Sequence, residues 1–378
     1  MLILMTGPGY GHNIEPWLEY FQDRSADYQL WFVCNSFGLD RNRFPALRIL
    51  EYGTSRRRIL ELLISLRRHR FDVLYLHGAH TPVYPLLFLH LVRYRKAVVN
   101  VWGNRIIDGA TDGRALTRPL YRRVFAAVDF VFFTWLGTKG RFEAAFPGFR
   151  EKAILTPWGM HRDWFRDDRP PPGDFTERFL ASIAPEAFFC FWPKSVIRLT
   201  RLDLVVAALG RLRASGLEMN NFQLVVWMGN VEDTAYRAEL ETQIRALQLE
   251  KQVQFVHHPP VPFSDMYYLW QRANLGLNIV EQDQLSTTVL EPMLLEKNLL
   301  LSDIEPYRIL NEQHRLGLDL VKNSVEGVAE ALGSVLSGRA APPRALLEHR
   351  SRVVRDEFCF DRNLDRTMAF LAREVEAV

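Results

Sequence analysis

The pattern that most restricts this chain is an alternation that runs, stops once, and starts again. Short apolar, β-branched or aromatic runs at Met1–Thr6, Leu30–Cys34, Val73–Leu76, Ala97–Val101, Phe130–Trp135 and Ile154–Pro157 read as buried strands. Helix-length amphipathic stretches lie among them at Ile14–Asp23 and Arg56–His69, the second with Ile59, Leu60, Leu62, Leu63 and Leu66 on one face. Strand then helix, repeated, is the signature of a doubly wound parallel sheet. The pattern breaks at Asp167–Gly173, DDRPPPG, where charge and three prolines can continue neither a strand nor a helix. It then restarts. Phe188–Trp192, Leu224–Met228, Val253–His257, Leu275–Val280 and Leu299–Ser302 read as strands, and Asp203–Ala214, Thr234–Leu247, Ser264–Ala273, Thr287–Leu295 and Val325–Leu336 as helices. The expectation is two α/β domains, 1–166 and 186–350, with a linker over 167–185. A last helix within 351–378 is expected to pack back toward the N-terminal domain.

The 378 residues hold enough apolar material, 48%, for two cores and exclude a disordered chain, a collagen-like chain or a long coiled coil. A net charge of +3 gives no reason to expect a nucleic-acid partner. Arginine nevertheless outnumbers lysine forty to seven. That ratio reads either as genomic base composition or as guanidiniums facing phosphates. The three cysteines, Cys34, Cys190 and Cys359, form no CxxC pair, so a reducing cytoplasm is expected and no zinc or disulfide framework is. The first residues lack the basic segment of a secretory signal, and no apolar run approaches the ~20 residues that span a bilayer.

In an open parallel sheet, ligands bind outside the carboxyl ends of the strands. The first such loop carries Gly7, Gly9, Gly11 and His12. Its GxGxG spacing, with no well-placed acid about twenty residues on, is a poor dinucleotide fingerprint. It reads as a tight turn or as a loop that hugs a substrate. The richest stretch is Ile279–Tyr307, IVEQDQLSTTVLEPMLLEKNLLLSDIEPY. Ser286, Thr287 and Thr288 fall where a helix begins, and hydroxyls with free backbone amides suit a diphosphate. Asp283 on the loop and Glu291 on the helix lie eight apart and can bracket a ligand. Carboxylates repel a diphosphate, so sugar hydroxyls are their natural partners.

This stretch resembles the donor-site signature of retaining glycosyltransferases of family 4: two acids separated by seven residues, the second in a "lEAM..G.pv..sd" run. Here Leu290-Glu291-Pro292-Met293 and Lys297–Asp303 stand in that run. Asp283 replaces the first Glu, Pro292 the usual Ala, and Glu296-Lys297 the usual Gly. Other segments are similar in the same order. Asp72–His80 resembles "D.ihaH", Val98–Arg105 "v.t.HG.D", Ile154–Phe165 "i.v.pnGvd...F", Leu224–Gly229 "l.ivG", Val253–His257 "v.f.G" and Met266–Gly276 "...ly..ad". The resemblance covers most of the chain through loose motifs in a shared order.

It implies a GT-B fold, two facing Rossmann-like domains with a central cleft. The implied reaction is metal-independent, retaining transfer from a nucleotide diphospho-sugar in bacterial polysaccharide or glycoconjugate biosynthesis. That sugar nucleotide is a substrate, and no cofactor is expected. The family's "vGRl...KG" cations fall here on Lys194 with Arg198 or Arg201, the spacing leaving both arginines open. Glu291 would hold the ribose and Asp283 the donor sugar, with Ser286, Thr287, Thr288, Gly229 and His257 completing the donor site. Trp102-Gly103 stands where the family often has a His, so no base is assigned. Gly9, Gly11, His12, His80, Trp102 and Asn104 are expected on the acceptor side. The acceptor would be a saccharide or lipid-linked molecule. Basic clusters at Arg56–Arg58, Arg67–Arg70 and Arg93–Lys96 flank apolar helices and suit peripheral docking on an anionic membrane from the cytoplasmic side. They equally suit buried helices with charged ends. The rival readings are a GT-B nucleotide-sugar epimerase, which needs further acids beside Asp283, and an NAD-binding oxidoreductase, which leaves the Asp283–Glu291 run unexplained.

Overall fold

The computed structural model describes residues 1–7, 14–53, 56–77, 91–101, 117–227, 232–257 and 263–377. The chain divides into two units, Met1–Gly159 with Phe360–Val378, and Met160–Cys359. In unit 1, seven strands form one parallel sheet: β1 (Leu2–Thr6), β2 (Gln29–Cys34), β3 (Arg48–Glu51), β4 (Arg70–His77), β5 (Arg93–Val101), β6 (Phe130–Phe133) and β7 (Ala153–Leu155). Their spatial order is β3-β2-β1-β4-β5-β6-β7. The near-continuous apolar runs follow from burial on both faces. On one face Leu74, Leu76, Val99 and Val101 pack with Leu62, Leu63 and Leu66 of α2 (Arg56–Arg67), and with α3 (Thr117–Ala127) and α4 (Leu136–Ala145) through Val124, Phe125 and Phe142. On the other, Ile3, Met5, Val73 and Tyr75 pack with Trp17, Leu18 and Phe21 of α1 (Glu15–Asp23).

Unit 2 carries six parallel strands: β8 (Phe188–Trp192), β9 (Phe222–Trp227), β10 (Val253–Val256), β11 (Leu275–Asn278), β12 (Asn298–Ser302) and β13 (Leu320–Val321), in the order β10-β9-β8-β11-β12-β13. Its helices are α5 (Asp174–Ser182), α6 (Leu202–Ala214), α7 (Thr234–Ala246), α8 (Phe263–Arg272), α9 (Thr287–Leu294), α10 (Glu305–His314), α11 (Val325–Leu336) and α12 (Arg344–Glu357). Cys190 and Trp192 of β8 and Leu275 and Leu277 of β11 join α6, α7 and α11 on one face. The alternate residues of those strands turn to the other.

The chain then returns to unit 1 as α13 (Phe360–Glu376), whose Phe360, Leu364, Met368, Leu371 and Val375 complete the core on the α1 side. Phe370 meets Phe130 edge-on at 5.0 Å, and the Tyr20 hydroxyl donates to Asp365 at 2.7 Å.

The stretch read as a linker is built into unit 2. Tyr268 donates to the Pro170 carbonyl at 2.7 Å, and Arg169 lies 3.8 Å over the Tyr267 ring. Residues 174–182 form α5, and Asp265 on α8 accepts from Gly173 N at 3.2 Å and from Thr176 Oγ1 at 2.6 Å. Among the described residues, no helix is long and apolar enough to cross a membrane.

Candidate donor site

Each sheet reverses its winding once. In unit 1 the switch lies between β1 and β4, where Gly7 follows β1 and His77 ends β4. A Cβ on Gly7 would come within 3.2 Å of the His77 Cβ, so the glycine permits that approach. Gly9, Gly11, His12, His80, Trp102 and Asn104, which follow the ends of β1, β4 and β5 in sequence, lie outside the described residues, as does Gly229.

In unit 2 the switch lies between β8 and β11, the position at which a crevice opens beyond the strand ends. Three loops are stitched together there. Glu281 N, after β11, donates to the Leu199 carbonyl after β8 at 2.8 Å. Asp233 N, before α7, donates to the Val196 carbonyl at 2.9 Å.

A compact polar group sits at this point. Lys194 Nζ donates to Asp283 Oδ2 at 2.9 Å and to Ser286 Oγ at 3.3 Å. Ser286 Oγ lies 2.8 Å from both Asp283 Oδ2 and Thr288 Oγ1. The Tyr307 hydroxyl donates to Asp283 Oδ2 at 2.5 Å and accepts from Asn278 Nδ2 at 2.6 Å. Burial is the largest single influence on the Asp283 carboxyl and pushes its pKa up. The Lys194 charge and the Tyr307, Lys194 and Ser286 hydrogen bonds outweigh it and hold the group below the usual carboxylate range. Burial, then the Asp283 charge, keep the Tyr307 phenol protonated. Ser286 is the N-cap residue of α9, but its side chain caps no backbone N–H. Val289 N of the first turn bonds the Ser286 carbonyl at 3.1 Å, which leaves the Thr287 and Thr288 amides and the positive end of the helix dipole to face an anion.

Glu291 lies one turn further along α9 and is only 2% exposed. Its Oε2 accepts from Trp270 Nε1 on α8 at 2.6 Å, and the Thr287 hydroxyl bonds to it as well. Burial dominates and raises its pKa to about 7. Gly276 makes this arrangement possible, since a Cβ there would come within 2.8 Å of the Trp270 ring.

The three candidate cations separate. Lys194 alone is bonded to Asp283. Arg198 is exposed, pairs with Glu239 at 2.5 Å and lies 5.3 Å over the Tyr236 ring. Arg201 takes a left-handed conformation, φ 45°, and forks onto Asp203 at 3.1 and 3.2 Å. It also feels the charge of Glu281 on the β11–α9 loop. His257, just past β10, is exposed, and its described partner is Arg237, itself paired with Glu232 and Glu241.

Tyr307, Asn278, Trp270 and Gly276 are not among the residues that the sequence singles out. Two signals were present: a polar residue ending the apolar strand LGLN, and a lone strand glycine, which marks a close approach. The Glu296-Lys297 departure has a structural counterpart, since Glu296 adopts φ 57° just beyond α9, a conformation that favours glycine.

No protein-family model matches the chain, and no curated protein matches it in sequence. Solved structures do match over nearly their whole length. A glycosyltransferase from Rickettsia africae superposes with a TM-score of 0.73 at 11% identity, covering 99% of this chain and 98% of the other. Sucrose-phosphate synthase from Thermosynechococcus elongatus gives 0.74 at 13%, covering 100% and 99%. Anabaena HepE, in complex with UDP-glucose, gives 0.74 at 12%, covering 100% of both. Two parallel sheets of this order, alike in architecture to these three, are the GT-B fold.

Proposed function

We propose that this chain, which has the GT-B fold, is a glycosyltransferase whose donor is a nucleotide diphospho-sugar. One observation carries the reading: at the switch point of unit 2, Lys194 meets Asp283 and Ser286 beside a helix start with no side-chain cap. Cation, hydroxyls and free amides suit a diphosphate leaving group, whose growing charge they would stabilise during transfer. Arg198 or Arg201, each already paired with a carboxylate, would supply the second cation. Asp283 would meet donor-sugar hydroxyls and Glu291 the ribose. The family resemblance extends this to metal-independent transfer with retention onto a saccharide or lipid-linked acceptor, as in bacterial polysaccharide assembly.

We place the work at the cytoplasmic face of an anionic membrane. Unit 1 holds 25 basic against 17 acidic side chains, a net +8, while unit 2 holds 22 against 27, a net −5. On α2, Leu60 and Ile64 stand exposed between Arg57 and Arg67.

The test is a thermal-stabilisation screen with UDP, GDP, ADP, TDP and NAD, followed by donor-hydrolysis assays. One nucleoside diphosphate should stabilise the protein, and Glu291→Ala should weaken its binding about tenfold or more, the scale of lost charge-assisted hydrogen bonds. Stabilisation by NAD alone would overturn the proposal, and unchanged affinity in Glu291→Ala would remove that residue from the ribose.

A further inference from the structure

The Lys194–Asp283 pair is asymmetric. Asp283 accepts from four donors: Lys194, Ser286 Oγ, the Tyr307 hydroxyl, and Gln284 N at 2.8 Å. Lys194 has two described partners, the Asp283 carboxylate and the Ser286 hydroxyl. Without the ammonium, the carboxylate keeps three donors. Without the carboxylate, the ammonium keeps one neutral hydroxyl. The carboxylate is therefore the fixed member and the lysine, on its flexible stem, the mobile one. The side chains are 12% and 15% exposed, so water screens this pair far less than a surface pair.

On the donor-site reading above, the same ammonium must face the diphosphate. A carboxylate and a diphosphate cannot both be its nearest neighbours without repelling each other. We propose that Asp283 is a built-in competitor for the donor's diphosphate: binding draws Lys194 away from Asp283, and product release lets the pair re-form. Ser286, bonded to both members and standing at the start of α9, is where the lysine would pivot.

The competition acts mainly on the product. In sugar transfer the bond from the anomeric carbon to the bridging oxygen breaks. That oxygen stays on the β-phosphate, the acceptor oxygen bonds the anomeric carbon, and the acceptor's proton leaves to solvent. The nucleoside diphosphate then carries one more negative charge than the donor did. Cations chosen to hold the donor would hold this product more tightly still. A carboxylate waiting for the same lysine opposes that excess.

The experiment is a double-mutant cycle read by calorimetric titration of the full chain with UDP, GDP, ADP and TDP. Asp283→Asn keeps the shape and can still accept from Tyr307 and Ser286; Asp283→Ser serves if the Asn variant does not fold. The preferred nucleoside diphosphate should bind about ten- to a hundredfold tighter to Asp283→Asn, the scale of one charge-assisted hydrogen bond. In a Lys194→Met background the same change should gain less than about twofold, since there is no ammonium left to release. If the wild-type chain binds none of the four, the donor-site reading fails and the inference with it. If it binds one, and Asp283→Asn leaves affinity unchanged or weaker, the competitor is overturned while the donor site stands. A gain that persists undiminished without Lys194 also overturns it, because simple repulsion would then suffice.

Discussion

Glu291 is a carboxylic acid walled off from water, with an indole N–H as neighbour, and it should leave a mark on stability against pH. In the unfolded chain it ionises near 4.5, and in the folded protein at about 7. Between these values the folded form keeps a proton that the unfolded form has lost. Its contribution to stability is therefore intact below about 4.5 and falls as pH rises toward 7. Glu291→Gln should be neutral near pH 4 and stabilising at pH 8, by up to about 3 kcal/mol. Denaturant unfolding at the two pH values checks this, and equal effects at both would deny the shift. Gly276 tests the same group from behind. Gly276→Ala would push on the Trp270 ring and cost about 1–3 kcal/mol. It should also lower nucleotide affinity, because Trp270 braces Glu291.

At the scale of elements, the end of α9 and the start of α5 make separable predictions. Glu296 sits in the left-handed region, so Glu296→Gly should raise stability by about 0.5–1 kcal/mol, read as a shift in the denaturation midpoint. Asp265 bonds the first turn of α5 from within the core, and Asp265→Ala should cost about 1–3 kcal/mol. These two features also mark where the sequence was legible. Central strands such as Phe188–Trp192 announced themselves because burial on both faces demands unbroken apolar runs. β3, Arg-Ile-Leu-Glu, did not, since an edge strand of four residues with charged ends has no such demand. α5 was hidden by the prolines before it and by a cap supplied from about ninety residues away. The site divides in the same manner. Lys194, Asp283 and Ser286 follow strand ends, where the parallel-sheet rule directs attention. Trp270, Asn278 and Tyr307 act from a helix, a strand end and the next helix, and only folding brings them to the carboxylates.

At the scale of the molecule, the small net charge conceals two units of opposite sign. In unit 1 the positive surface is organised. Arg93 and Arg95 share a sheet face with Val99 and Val101, the face that α2 covers, and Arg67 and Arg68 end that helix. Liposome flotation should depend on anionic lipid and weaken with salt. Replacing Arg67 and Arg68 with Gln should lower partitioning about thirtyfold, at ~1 kcal/mol per charge near the surface. Indifference to lipid charge would remove the membrane from the proposal.

The return of α13 to unit 1 has a consequence for how the chain is made. Unit 2 is one continuous segment, 160–359, and can close as soon as it clears the ribosome. Unit 1 begins first but lacks Phe360, Leu364, Met368, Leu371 and Val375 until all of unit 2 has been made. The half begun first is thus completed last, its α1-side core open throughout the synthesis of its neighbour.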